Sequence, residues 1–200
     1  MTYTTSVMAL ILGIFGLAVQ TRPPTSGAAL PRVVVETTMG DIEIEVDNIR
    51  APISGGHFLE QVDAGLYNGG RFHRTVKMDN QPKDQVKIEV IQAGVDPARE
   101  KAITKSIPLE RTSVTGLRHV DGTVSTPRLA PDSARSGFFI CINDQPELDF
   151  GGKRNPDGQG FGAFGRVVRG MDVVRKIQMA PNTDAQNLTP PVAIVSITRR

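Results

Sequence analysis

Apolar and polar positions alternate most regularly between residues 33 and 46. Val33-Val34-Val35-Glu36-Thr37 precedes a turn at Met39-Gly40-Asp41, and Ile42, Ile44 and Val46 then share one face, which predicts a β-hairpin with those three side chains inward. The period changes after Ala51. Pro52 suits a first helical turn, Ile53, Phe58, Leu59 and Val62 recur at helical spacing, and Gly65 fits the end of that helix. Short apolar segments follow at 71–76, 86–93, 122–125, 137–142 and 163–168, each bounded by Gly, Pro, Asn or Asp. A second helix is predicted at about Met171 to Ile177 and a last strand from Val192 to Thr198. Many short strands with only two helices imply a mainly β fold, a barrel or a sandwich, and closure into a barrel removes exposed strand edges.

The first residues follow no such pattern. Residues 7–19 are all apolar or Gly, too short a run for the roughly 20 residues of a spanning helix but of the length of a signal sequence's apolar region. Residues 1–20 are therefore expected to be a hydrophobic signal or anchor, 21–32 a linker, and 33–200 the folded domain. Export to a periplasmic or other extracytoplasmic site is the expected localisation, with membrane association, if any, only through 7–19. Arg22 and Arg32 follow the run and no Lys or Arg precedes it, a bias that would place the folded part on the cytoplasmic side were the segment to stay anchored.

Composition narrows the chemistry. With 23 Lys and Arg against 21 Asp and Glu, a net charge of +2, and no basic stripe, nucleic acid is not an expected partner. The one cysteine, Cys141, lies in the apolar run Phe138-Phe139-Ile140-Cys141-Ile142 and reads as a core thiol. His57, His73 and His119 have no shared ligand spacing, so no metal is expected. Gly160-Phe161-Gly162-Ala163-Phe164-Gly165 fits a dinucleotide-binding string, but Arg166-Val167-Val168 continues as strand where such a site needs a helix.

From about Val33 to Thr198 an ordered series of motifs resembles the cyclophilin family. Met39 to Glu45 is similar to its first hairpin, Ala51-Pro52 through Phe58 to its first helix, and Phe72-His73-Arg74 to its signature triplet. Ile91-Gln92-Ala93-Gly94, Ser136-Gly137-Phe138-Phe139-Ile140 and the stretch from Ala163 to Asp172 resemble later elements in the same order. The resemblance implies a closed eight-stranded antiparallel β-barrel capped by two α-helices, whose outer groove binds proline-containing polypeptides and isomerises the X-Pro bond. It implies Arg74 as catalytic arginine, Gln92 as the partner that holds the substrate backbone, and Phe139 and Leu148 as walls of a proline pocket. Val90, Arg128 and Phe161 would complete the substrate-binding surface. A monomer with no cofactor is expected.

Several positions depart from the family pattern. Residues 75–90 form a longer segment than usual and are expected to alter which peptides fit. Glu89 and Val90 stand opposite the usual Phe and Met, Gly137 opposite Gln, and Glu147 opposite an aromatic residue whose loss argues against tight cyclosporin binding. Pro127 removes a backbone N–H from the segment that usually docks the peptide. These changes leave a second reading open, a proline-peptide-binding module or chaperone with weak catalysis.

Overall fold

The computed structural model describes residues 29–101 and 103–200; the apolar run at 7–19 and most of the linker lie outside the described residues. β1 (Arg32–Thr37) and β2 (Gly40–Val46) form the expected hairpin, with Val33 opposite Ile44 and Val35 opposite Ile42. All five apolar side chains at 33, 35, 42, 44 and 46 are buried, as period-two alternation requires of a sheet with one face on the core.

Helix α1 (Pro52–Asp63) carries Pro near its start, and its end is closed by Gly65 at φ +63°, a left-handed conformation that suits glycine. Its inward face is Ser54, Gly55, Phe58, Leu59, Gln61 and Val62. Ile53 is exposed, contrary to its place in the apolar pattern. The first helical N–H groups are capped from afar: the amides of Ile53 and Ser54 donate to the two carboxylate oxygens of Glu110 at 3.0 and 2.6 Å.

The remaining strands are β3 (Arg71–Val76), β4 (Val90–Gly94), β5 (Thr123–Thr126), β6 (Phe138–Cys141), β7 (Gly162–Arg169), β8 (Asn182–Asp184) and β9 (Asn187–Arg199). Eight of the nine close into an antiparallel barrel in the order β1-β2-β7-β5-β6-β4-β3-β9, with β9 pairing back to β1, while β8 pairs only with β9. The barrel interior is core. Phe58 lies 5.0 Å from Phe164 and 5.5 Å from Phe138 between ring centroids, and Tyr67 and Phe72 pack on the same cluster. Such offset and edge-on aromatic contacts add to the apolar area they bury.

The barrel has more helices than the two expected. Besides α1 and α4 (Met171–Gln178) there are two single-turn helices, α2 (Pro97–Glu100) and α3 (Thr112–Thr115). Four residues are too few to show a helical period, and α2 is held by its cap, the Asp96 carboxylate accepting the Ala98 amide at 2.9 Å. A second correction concerns 86–93: only the part from Val90 onward is strand. The stretch between β3 and β4 is a series of turns braced by buried Asn80 and Gln81. Asn80 donates to the carbonyls of Thr75 and Ala185 at 3.0 and 2.8 Å, and Gln81 donates to those of Lys77 and Ile88, both at 2.7 Å. Buried amides bonded this fully fix a loop against the barrel.

Candidate functional site

Alternation along β4 and β6 divides their side chains between two surfaces. Ile91, Ala93, Phe138 and Ile140 face the barrel core, whereas Val90, Phe139 and Cys141 face outward and join Val76, Ile88 and Leu148 in a second apolar cluster. Register does the rest. Arg74 pairs with Gln92 across β3 and β4, and Gln92 pairs with Phe139 across β4 and β6, so three side chains from distant parts of the chain stand side by side. Above them runs a groove of about 560 Å³, whose lining includes all seven residues singled out from the sequence: Arg74, Val90, Gln92, Arg128, Phe139, Leu148 and Phe161.

Arg74 is half-buried and held on two sides. Its Nη1 donates to Gln92 Oε1 at 3.0 Å, and its Nε and Nη2 both donate to Gln186 Oε1, at 2.9 and 2.6 Å. A guanidinium has five N–H donors, so one N–H on each Nη nitrogen has no partner in these three bonds. Burial, and then the nearby positive charge of Arg154, lower the pKa of Arg74 from its usual value. The group nonetheless keeps its charge in a protein, and poorer solvation makes it a stronger donor toward a new acceptor.

The apolar end of the groove is built on Phe139, a buried side chain packed edge-on against Phe161 at 5.5 Å and stacked on His119 at 6.0 Å. His119 is fixed in turn, Nδ1 to Asp149 Oδ1 at 2.7 Å and Nε2 to Ser125 Oγ at 3.0 Å. This Ser-His-Asp chain is buried beneath the ring, which gives it a supporting position and no route to a substrate carbonyl. Leu148 is fully buried on a short 3₁₀ turn and accepts the Phe161 amide at 2.9 Å, which ties the two walls together.

Arg128 also lines the groove, and its guanidinium is engaged by its own neighbours. Its guanidinium makes a two-pronged bridge to Asp157 at 2.7 and 2.8 Å, donates from Nε to the Gly160 carbonyl at 2.6 Å, and lies 5.3 Å from the Phe161 ring centroid. Its side chain therefore serves as a buried strut for the Phe161 wall. Two of the departures from the family pattern prove to be one packing event: a Cβ on Gly137 would sit 2.8 Å from Pro127 Cγ, so the proline ring needs glycine beside it.

The other departures also have an account. Glu89 points away from the groove, accepting from Asn143 at 2.8 Å and Gln178 at 3.2 Å. Apolar surface comes instead from Ile88, which lines the groove next to Val90. Glu147 accepts the Lys153 amide at 2.8 Å and shapes the loop after Leu148. Neither Ile88 nor Gln186 was identifiable as a site residue from sequence. Ile88 lies in a turn-rich loop without periodicity, and Gln186 reaches Arg74 across 112 residues. Among the described residues no three His, Cys, Asp or Glu side chains come together as a metal site.

Comparison with known proteins gives one consistent answer. The family model described as cyclophilin type peptidyl-prolyl cis-trans isomerase/CLD matches residues 32–199. A peptidyl-prolyl cis-trans isomerase of Acinetobacter baylyi is 34% identical over 197 residues, covering 95% of this chain and 93% of its own length. Peptidyl-prolyl cis-trans isomerase A of Dickeya dadantii is 31% identical, with 86% of this chain and 83% of its own covered. The corresponding isomerase B of Escherichia coli is 33% identical, with 73% and 83% covered. A Cryptosporidium parvum cyclophilin-type isomerase, solved in the presence of the dipeptide Ala-Pro, superposes with a TM-score of 0.68 at 20% identity, over 84% of this chain and 98% of that one.

Proposed function

The chain belongs to the cyclophilin-type peptidyl-prolyl cis-trans isomerase family, and from that premise we propose that Arg74 is the group that lowers the barrier to rotation of an X-Pro bond held in the groove. Peptidyl-prolyl isomerisation is its activity, and assistance to protein folding is the role that fits it. The substrate is a proline-containing polypeptide.

An X-Pro bond rotates over about 18–20 kcal/mol because amide resonance must be broken, and the uncatalysed change takes tens to hundreds of seconds. As the bond twists, the proline nitrogen pyramidalises and gains a lone pair. A donor aimed at that nitrogen binds the twisted state more tightly than either planar isomer, which is the requirement for acceleration. Raising a rate of about 10⁻² s⁻¹ to about 10–10³ s⁻¹ calls for roughly 4–7 kcal/mol, within reach of one poorly solvated charged hydrogen bond together with fixed orientation.

The observation that carries this reading is the guanidinium fork of Arg74. Three of its N–H groups are held by Gln92 and Gln186, and the remaining two belong to a side chain lining the groove that Phe139 and Leu148 also line. Phe139, Leu148, Phe161, Val90 and Ile88 provide an apolar seat for the pyrrolidine ring, where the arginine's field is screened less than in water. The groove keeps this apolar lining despite the altered positions, which favours a working isomerase over a bare binding module.

Arg74→Lys tests the assignment. Lysine keeps the charge but offers a flexible point donor that cannot be held by Gln92 and Gln186 together. A misplacement of about 1 Å costs around 100-fold, or about 2.7 kcal/mol. Exchange spectroscopy on an X-Pro peptide should show a loss of that order in a protein whose circular dichroism and peptide affinity are nearly unchanged. Wild-type exchange in folded Arg74→Lys would remove Arg74 as the donor.

A further inference from the structure

We propose that Gln186 is a positioning residue for the isomerase reaction: its side-chain oxygen fixes the guanidinium of Arg74 from the side opposite Gln92, and the turn-rich loop between β3 and β4 fixes Gln186. The inference rests on Arg74 being the catalytic donor and adds a residue and a loop to that reading.

Gln186 lies in the tight turn between β8 and β9, where Ala185 has φ +49°. Its backbone carbonyl accepts the Thr75 amide at 2.8 Å, next in sequence to Arg74. Its side-chain oxygen then takes two N–H groups of the guanidinium edge, Nε and Nη2. Its side-chain nitrogen donates to the Asn80 carbonyl at 3.2 Å. That last bond decides the amide's orientation. Turned over, the amide would set an oxygen against the Asn80 carbonyl oxygen and N–H donors against a guanidinium that has no acceptor.

Asn80 is anchored as firmly. Besides its bonds to Thr75 and Ala185, its Oδ1 accepts the Lys77 amide at 2.7 Å, and Ala185 receives a further bond from Asn182 at 2.6 Å. From the other side of the loop Arg154 donates to the Val86 carbonyl at 2.6 Å and to Gln81 at 3.0 Å. The loop is thus a brace between the β8–β9 turn and the groove wall. Arginine has a long flexible side chain, and one bond to Gln92 leaves the guanidinium plane free to turn about that contact. The two bonds to Gln186 remove this freedom, which a donor that must meet a transient lone pair requires.

The test compares wild type, Gln186→Met, Gln186→Asn, Arg74→Lys and the double variant Arg74→Lys with Gln186→Met. Turnover is read by exchange spectroscopy at saturating peptide, affinity by titration, and folding by circular dichroism and Tm. Met is close in shape but offers no strong acceptor, and Asn draws the acceptor back by one CH₂. Either should lower turnover about 10-fold with peptide affinity within about twofold, a misplacement smaller than the Arg74→Lys one. In the Arg74→Lys background, Gln186→Met should add less than about twofold, because its effect passes through the guanidinium. Asn carries the comparison should Met fail to fold. The proposal is overturned if folded Met or Asn variants keep wild-type turnover, if their loss appears in peptide affinity with turnover unchanged, or if the Met loss is equally large in the Arg74→Lys background. Wild-type turnover in Arg74→Lys instead overturns the donor reading, and with it this one.

Discussion

Cys141 illustrates how one residue's chemistry is set by the face of the strand it occupies. It projects outward from β6, yet no part of it is exposed, because Val76, Ile88, Val90, Phe139 and Leu148 cover that face. Burial, and then the charges of Asp149 and Asp121, push its thiol well above the usual range. The thiolate is the reactive form, so Cys141 should be inert in the native protein. A thiol-specific chromogenic reagent should leave it unmodified under native conditions and label it stoichiometrically in denaturant. Prompt labelling without denaturant would show that this apolar cluster at the base of the groove opens readily. The same covering explains the roles at this scale: Phe139 and Leu148 are held by packing, while Arg74 is held by polar contacts that leave part of its fork unused.

Between elements, the bridge from Arg128, just after β5, to Asp157, before β7, holds the Phe161 wall of the groove. The Arg128 hydrogen bond, followed by that of the Gln159 amide, lowers the pKa of Asp157 from the usual 3.8 to about 2. Because the folded value lies below the unfolded one, the bridge's contribution to stability is fully present above pH 3.8 and fades as pH falls toward about 2. Asp157→Asn should therefore lower Tm at pH 7, and the gap to wild type should narrow through that acid window. A Tm gap that is the same at pH 7 and at about pH 2 would mean that the bridge does not stabilise the fold by its charge. Since Asp157 remains ionised near neutrality, this group should give peptide affinity no pH dependence between pH 5 and pH 7.

At the scale of the whole molecule, the apolar run at 7–19 bears on where the isomerase works. Among the described residues no helix is long and apolar enough to cross a membrane. We propose from the composition of that run that the protein is exported, and the outcome expected is a mature protein that starts after residue 19 and lies outside the cytoplasm. N-terminal sequencing of material from the native host checks it. An intact Met1 on protein recovered from the soluble cytoplasmic fraction would remove the export reading. The barrel itself joins the ends of the folded part, Val33 pairing with Arg199, and Arg32, Arg169 and Arg200 converge on the buried carboxylate of Glu43 beside that seam. Several arginines around one carboxylate hold its pKa below the usual value despite the opposing effect of burial.

The eight barrel strands, the two longer helices and most of the candidate site were legible in the sequence, because each depends on short-range order, whereas the three-residue β8 was not. The alternation at 42–46 determines which side chains face the core, Pro52 and Gly65 bound a helix through their own backbone preferences, and Phe72-His73-Arg74, Gln92, Phe139 and Leu148 stand in motifs a few residues long. The tertiary structure alone decided what those residues rest on. Glu110 caps a helix 56 residues away, Gln186 fixes Arg74 across 112, and Arg128, which the resemblance assigns to the peptide, bridges to Asp157 with its guanidinium. Ile88 supplies the apolar surface that Glu89 cannot, since the braced loop and the register of β4 aim one side chain at the groove and the other away from it. Local periodicity records backbone preference and the partition of apolar surface from water, both fixed within a turn or a strand. A polar contact between remote segments leaves no such period, because it exists only once barrel closure has set the strand register and brought the loops together.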